Sequence, residues 1–363
     1  MRIAQVAPLW ECVPPKAYGG TELVVYILCE EYAKRGLDVT LFATGDSVTS
    51  AVLEPVIKTS MREQNINFPI FHELKCISKV LERWQDFDVI HNHIGYHFLP
   101  FADLIDVPIV TTLHGAFINK EEIEFYRNHK RNHLVSISDA QRMGAPDLNY
   151  VSTVYNGIQV EKYPFQAKYN TDDPYLAFLG RFSEEKGPHL AIKLAKETGW
   201  KLIMAGKVDK ADQECFETKV KPHIDGNQIT YIGEVRHEAK CELLKGAYAT
   251  VHSVTWPEPF GLVMAESMAC GTPVLALKNG SIPEVIRDGK TGFIENNIDD
   301  LIKRINDIEK ISRKECRVHV EENFSAKKMA DGYLSVYKKL IGQNISDLNI
   351  DTETPVFVNQ RKK

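Results

Sequence analysis

No stretch of this chain comes near the run of about 18 apolar residues that a membrane-spanning helix needs, and Met1-Arg2-Ile3-Ala4-Gln5-Val6 reads as a strand with no apolar signal core behind it. The seven cysteines (Cys12, Cys29, Cys76, Cys215, Cys241, Cys270, Cys316) are odd in number, scattered and never spaced C-x-x-C. That argues against a disulfide framework and a thiolate metal site, so a reduced, cytoplasmic chain is expected. His91-Asn92-His93 and His97 have no carboxylate or cysteine companions at ligand spacing, and no metal is expected there. Asp86-Phe87-Asp88 matches a D-x-D metal signature only formally, since it reads as the turn before a strand. A net charge of −5 with 26% charged residues gives no bias towards nucleic acid.

What is present is a strand–helix alternation that runs twice. With 363 residues, of which 44% are hydrophobic, the chain has ample core for two domains of ordinary size. In the first half, short β-branched runs at Ile3–Ala7, Val39–Ala43, Val89–His91, Ile109–Leu113 and His133–Ile137 alternate with helical patterns such as Thr21–Arg35, Ile70–Trp84 and Glu121–His129. A polar, turn-rich stretch from Tyr163 to Pro174 follows, and then the pattern restarts. Its strands are Tyr175–Leu179, Trp200–Ala205, Ile229–Ile232, Ala249–His252, Pro273–Ala276 and Gly292–Ile294. Such spacing implies βαβ units and parallel sheets, hence an α/β protein of two doubly wound, Rossmann-like domains facing each other across a cleft. The expected divisions are 1–168, 172–322, and a polar tail over 343–363.

The most informative segment is Glu258-Pro259-Phe260-Gly261-Leu262-Val263-Met264-Ala265-Glu266. Pro259 and Gly261 keep the first acid in a loop, whereas Leu262 to Cys270 is helix-compatible until Gly271 and Pro273 stop it. Glu266 then lies about one turn inside a helix that is apolar nearly all round, and a buried carboxylate needs a polar partner. Free N–H groups at Gly261 and Leu262 would hold a phosphate, Glu266 a ribose and Glu258 a sugar. A Glu266 paired with a core arginine or lysine is the competing account, still open at this point.

Ligands of such sheets bind beyond the carboxyl ends of the strands, so the strand-to-helix loops carry the chemistry. Pro14 to Glu22 holds the pair Gly19-Gly20 before a helix, with Thr21 as candidate N-cap, but neither G-x-G-x-x-G nor a Walker lysine. Gly180 to Pro188 brings Arg181 and Lys186 to the mouth of a strand, where a diphosphate would need two cations, although a solvated surface pair fits equally. Lys278 to Glu284 is a turn into a helix capped by Ser281, with N–H groups expected to aim into the cleft. Thr111 to Gly115 sets His114 at a strand end, where Gly115 allows a ligand close.

These residues together resemble the retaining glycosyltransferases of family 4, which have the GT-B fold. The marks are Gly19-Gly20-Thr21-Glu22, His114-Gly115, Asn156-Gly157-Ile158, Gly180-Arg181-Phe182 with Lys186-Gly187, Glu258 to Glu266, Ala269-Cys270-Gly271-Thr272-Pro273, and Gly280 to Glu284. The resemblance runs from Arg2 to about Ile341 and implies a final helix, about 325–341, that returns to the first domain. It implies a nucleotide-sugar donor, with UDP-glucose expected as substrate, and no cofactor or metal. Arg181 and Lys186 would hold the diphosphate, Glu266 the ribose, Glu258 the donor sugar, and the backbone around Phe260, Gly261 and Leu262 the leaving phosphate. The segment Tyr231-Ile232-Gly233-Glu234-Val235, with Ile232 and Gly233 at its centre, would frame the base, mostly through backbone, while Gly19, Gly20 and His114 would meet the sugar and acceptor. Ser281 departs from the family, many members of which have a second glycine there.

Catalysis would then rest on Glu258, His114, Arg181 and Lys186, transferring a hexose to a glycan, a lipid-linked glycan or a small-molecule acceptor. An epimerase of the same fold and a non-catalytic nucleotide-sugar sensor are the alternatives. The basic run Tyr126 to Arg131 leaves peripheral contact with the inner face of a membrane as a further expectation, a solvated face being the plainer account.

Overall fold

The computed structural model describes residues 1–348. Seven parallel strands form the first sheet: β1 (Arg2–Val6), β2 (Asp38–Thr44), β3 (Val52–Ile57), β4 (Val89–Asn92), β5 (Ile109–Thr112), β6 (His133–Ser136) and β7 (Tyr150–Thr153), in the spatial order β3-β2-β1-β4-β5-β6-β7. Six more form the second: β8 (Tyr175–Leu179), β9 (Lys201–Ala205), β10 (Ile229–Tyr231), β11 (Ala249–His252), β12 (Val274–Leu277) and β13 (Gly292–Glu295), ordered β10-β9-β8-β11-β12-β13. Both orders reverse direction beside the first strand of the sheet, which opens a crevice at the carboxyl ends there.

Side chains alternate across each strand, so one sheet feeds two cores. From β1 and β2, Ile3, Val39, Leu41 and Ala43 pack with helix Gly20–Lys34, whereas Ala4, Val6 and Phe42 pack on the other face with helix Pro69–Glu82. Two strands fall outside the sequence expectation, and both are edges. β3 carries Pro55, whose missing N–H is tolerated at an edge, and the register against β2 shifts at Ala43/Thr44 beside it. β7 is half-buried throughout and so shows no apolar alternation.

The last helix, Ala326–Leu348, lays Ala330, Tyr333, Val336, Tyr337 and Leu340 on the first sheet's core beside Tyr32. It extends seven residues beyond the expected end at 341, so the start of the expected polar tail is helical here; residues 349–363 lie outside the described residues. The chain crosses between the domains twice, side by side: Ile158 N–H donates to Phe324 O (2.9 Å) and Ala326 N–H to Ile158 O (2.8 Å). A β-carbon at Gly157 would sit 2.4 Å from Ser325 O, which accounts for the glycine in Asn156-Gly157-Ile158.

Candidate functional site

Between the facing carboxyl ends lies a cavity of about 400 Å³, within the range of small-molecule sites. Its second-domain wall is built on helix Leu262–Ala269, which starts after Gly261 at φ 76°. A side chain there would be strained and would also press on Met264 (2.7 Å), so only glycine opens the helix towards the cleft. The helix's first N–H groups lack intrahelical acceptors and its dipole is positive at that end. Phe260 is fully buried against Phe324 and Tyr155 and anchors the loop from below. Across the gap stands Gly20, where an added β-carbon would make an ordinary contact of 3.5 Å with Leu262 Cδ1. Gly19, with φ 152°, caps the helix that follows; Thr21 lies inside the first turn and makes no side-chain cap, contrary to expectation.

Both acids of the spaced pair are buried, Glu258 to 6% and Glu266 to 3% exposure, and both line the cavity. Glu258 accepts from Lys186 Nζ and from Trp256 Nε1 (3.1 Å), and the Lys186 ammonium also lies 5.1 Å from the centre of the Trp256 ring. Burial pushes the Glu258 carboxyl up, but Lys186, His252 and these hydrogen bonds outweigh it and hold it below its ordinary value. Glu266 accepts from Tyr163 Oη (2.7 Å) and Lys240 Nζ, both on its Oε1. The competing account of Glu266 is therefore realised: a lysine holds it, although that lysine itself lines the cavity.

Arg181 pairs with Glu185 and lies 3.3 Å from Asp212 Oδ2, so Arg181 and Lys186 are both positioned by carboxylates. His252, at the end of β11, sits behind Glu258, and burial pulls it down to about 4, against the pull of Glu258. It is a neutral imidazole in the cavity wall at pH 7.

His114 also lines the cavity, yet its Nε2 is occupied by His93 Nδ1 (2.9 Å). His93 Nε2 meets Gln5 Oε1 (2.9 Å), and Gln5 Nε2 donates to Tyr337 Oη (3.3 Å), which contacts His91 Nδ1 (2.6 Å). Since the Gln5 carbonyl oxygen can only accept, His93 carries its proton on Nε2 and His114 donates from Nε2, leaving the His114 Nδ1 lone pair free of a proton. Burial pulls His114 down to about 4, so it stays neutral. His91 and His93 share a face, with ring centres 3.9 Å apart, as parts of this buried chain to the returning helix.

Three expectations are corrected. Ser281 does not aim its N–H into the cleft: it donates to Glu258 O (2.9 Å), and Gly280 approaches that backbone so closely that a β-carbon would lie 2.3 Å from Glu258 O. The loop is a floor beneath Glu258. Ser281 makes no side-chain cap but donates to Phe260 O (3.1 Å), and Glu284 reaches the first domain, accepting from Asp139 N–H (2.8 Å), Ala140 N–H (2.7 Å) and Tyr155 Oη (2.9 Å). Of the segment Tyr231 to Val235, Glu234 and Val235 line the cavity whereas Ile232 and Gly233 do not, and Glu234 accepts from Tyr18 N–H (3.1 Å) across the cleft. Gly233, at φ 81°, supplies the turn and receives Gly206 N–H at its carbonyl. Asp86 and Asp88 serve surface ion pairs with Arg83 and Arg2. The basic run is likewise partly spent, Arg127 on Asp147 and Arg131 on Asp103.

Lys240, Tyr163, Trp256 and His252 were not singled out from sequence. Trp256, two residues before Glu258, could have been suspected from that spacing; Lys240 and Tyr163 reach Glu266 from remote elements and left no local signal.

Known proteins share both halves of this architecture. The model for glycosyltransferase family 4 matches residues 18–162 and that for glycosyl transferases group 1 matches residues 159–327. Glycogen synthase of Mycobacterium tuberculosis is 26% identical over 344 residues, covering 80% of this chain and 81% of its own. Among solved structures, sucrose-phosphate synthase from Thermosynechococcus elongatus superimposes with a TM-score of 0.80 at 17% identity, over 94% of this chain and 100% of its own. Anabaena HepE in complex with UDP-glucose does so with a TM-score of 0.71 at 17% identity, over 96% and 100%.

Proposed function

The chain belongs to the family 4, group 1 glycosyltransferases with the GT-B fold, and from that premise we propose that it is a retaining enzyme moving a hexose, glucose, from UDP-glucose to a sugar or lipid-linked glycan. The observation that carries this reading is the seating of two buried carboxylates, Glu258 and Glu266, on either side of a helix start that faces Arg181 and Lys186. A nucleotide-sugar satisfies all of these groups together: Glu266 and Lys240 take the ribose hydroxyls, Arg181 and Lys186 the diphosphate, and Glu258 the sugar hydroxyls. The glucose nucleotide bound by Anabaena HepE supports the choice of donor.

Cleavage of the glycosyl C1–O bond leaves its electron pair on the terminal phosphate oxygen of the diphosphate. Arg181, Lys186 and the N–H groups at Gly261 and Leu262 are preorganised for that charge, which costs no reorganisation at the moment of reaction. The acceptor hydroxyl adds to C1 on the face the phosphate leaves, and its proton passes to the departing oxygen. His114, neutral and already hydrogen-bonded to His93, positions the sugar rather than abstracting a proton.

A thermal-shift screen of nucleotide-sugars tests the donor, with UDP-glucose expected to stabilise most. Because two protein cations serve the diphosphate, transfer and donor hydrolysis should persist after exhaustive chelation. Loss of activity on chelation, restored by magnesium or manganese, would overturn the metal-independent reading.

A further inference from the structure

Four histidines are buried among the described residues, and three of them spend both ring nitrogens on the protein. His91 meets Thr112 Oγ1 (2.7 Å) and Tyr337 Oη (2.6 Å), His93 meets Gln5 and His114, and His319 meets Val285 O (2.9 Å) and Asn323 Nδ2 (3.1 Å). His252, at the end of β11 in the wall of the cavity, spends neither. Its Nε2 is sealed from solvent without a hydrogen-bond partner, and its Nδ1 has no partner among the described residues, although the Glu258 carboxylate stands near enough to pull on the ring. An imidazole held in a wall with both nitrogens unused is an unfavourable burial unless something entering the cavity takes a hydrogen bond from it.

Gly261 fixes where that partner sits. A β-carbon on Gly261 would lie 3.3 Å from His252 Nε2 and 3.3 Å from Glu258 Cγ, so one edge of the imidazole lies against the start of helix Leu262–Ala269. A neutral imidazole has one N–H and one lone pair. Sealing the lone pair against the aliphatic Gly261 costs less than sealing the N–H there, as with backbone groups, where orphaned N–H groups are rarer than under-satisfied acceptors. The proton therefore belongs on Nδ1, the nitrogen that is not sealed. Nδ1–H is then a donor in the cavity wall, beside the N–H groups that open the helix.

We propose that His252 is a further catalytic residue, donating its Nδ1–H to the terminal phosphate oxygen from which the sugar departs. The inference rests on the cavity being the donor site. As the C1–O bond breaks, its electron pair comes to rest on that oxygen, and a donor already aimed there strengthens with the charge. His252 keeps its own proton, because the acceptor hydroxyl supplies the one that the phosphate takes up. A neutral donor also suits the place, since Lys186 disfavours a second cation beside it.

Calorimetric titration with UDP and with UMP, which lacks the terminal phosphate, tests it. His252→Ala should weaken UDP by about tenfold or more, the worth of a hydrogen bond to a charged group, and leave UMP affinity unchanged. Turnover of UDP-glucose should fall by about a hundredfold, as loss of one transition-state donor does. His252→Asn, whose amide nitrogen stands where Nδ1 does, should restore much of both, whereas His252→Gln, which reaches the Nε2 position, should not. Equal losses of UDP and UMP affinity in His252→Ala, UDP affinity unchanged, or rescue by glutamine rather than asparagine would each overturn the proposal. The unsubstituted enzyme separates the two readings: if it holds UDP no more tightly than UMP, the donor site falls, whereas a tighter hold on UDP that survives in His252→Ala sinks the histidine's role alone.

Discussion

Replacing Glu258 by alanine should lower turnover by about a hundredfold or more while UDP binds as tightly as before or more tightly, because on the proposed assignment the lost contact fixes the reacting sugar and not the nucleotide. The ion pair with Lys186 sharpens this expectation. Glu258 pairs with the Lys186 ammonium, so its removal should leave that charge to the diphosphate. Glu266→Ala should behave differently, weakening UDP by about tenfold or more through lost charge-assisted hydrogen bonds to the ribose. Calorimetric UDP titration and steady-state kinetics on both variants check the pair. Equal losses of UDP affinity would contradict the assignment of the two acids.

Arg181→Ala should cost about 2–4 kcal/mol of transition-state stabilisation, roughly 30- to 1000-fold in kcat/KM, as loss of a charge-assisted contact in a closed site does. Glu185 and Asp212 make the effect larger than the removal of one donor. Both carboxylates face the guanidinium, and without it they remain as negative charges near the diphosphate. Arg181→Lys should recover only part of the loss, since an ammonium restores charge without the planar fork. Single-turnover rates with UDP-glucose give the measurement, and a variant within threefold of wild type would show that the arginine serves structure alone.

The sequence was legible where chemistry is local. Pro259 and Gly261 punctuate the chain between the two acids, and this set Glu258 in a loop and Glu266 within a helix, as found. The six strands of the second sheet were readable because buried parallel strands are continuous apolar runs. The edge strands β3 and β7 were not, since an edge tolerates Pro55 and half-buried side chains. Partners that arrive from afar were also invisible: Tyr163 reaches Glu266 from 103 residues away and Lys240 from 26. The same is true of Ser281, whose N–H serves Glu258 O because Gly280 brings two loops into contact, a fact of packing that spacing does not encode.

Retention of configuration is the central claim, and the anomer first released from UDP-glucose tests it most directly. The proposed donor is α-linked, and in the proposed mechanism acceptor and leaving group share one face of the sugar. Incubating enzyme with UDP-glucose alone and following the anomeric proton signals by NMR, before mutarotation mixes them, should show α-glucose first. Initial appearance of β-glucose would contradict the account, and conversion of the donor only to its epimer would assign the cleft to a different reaction.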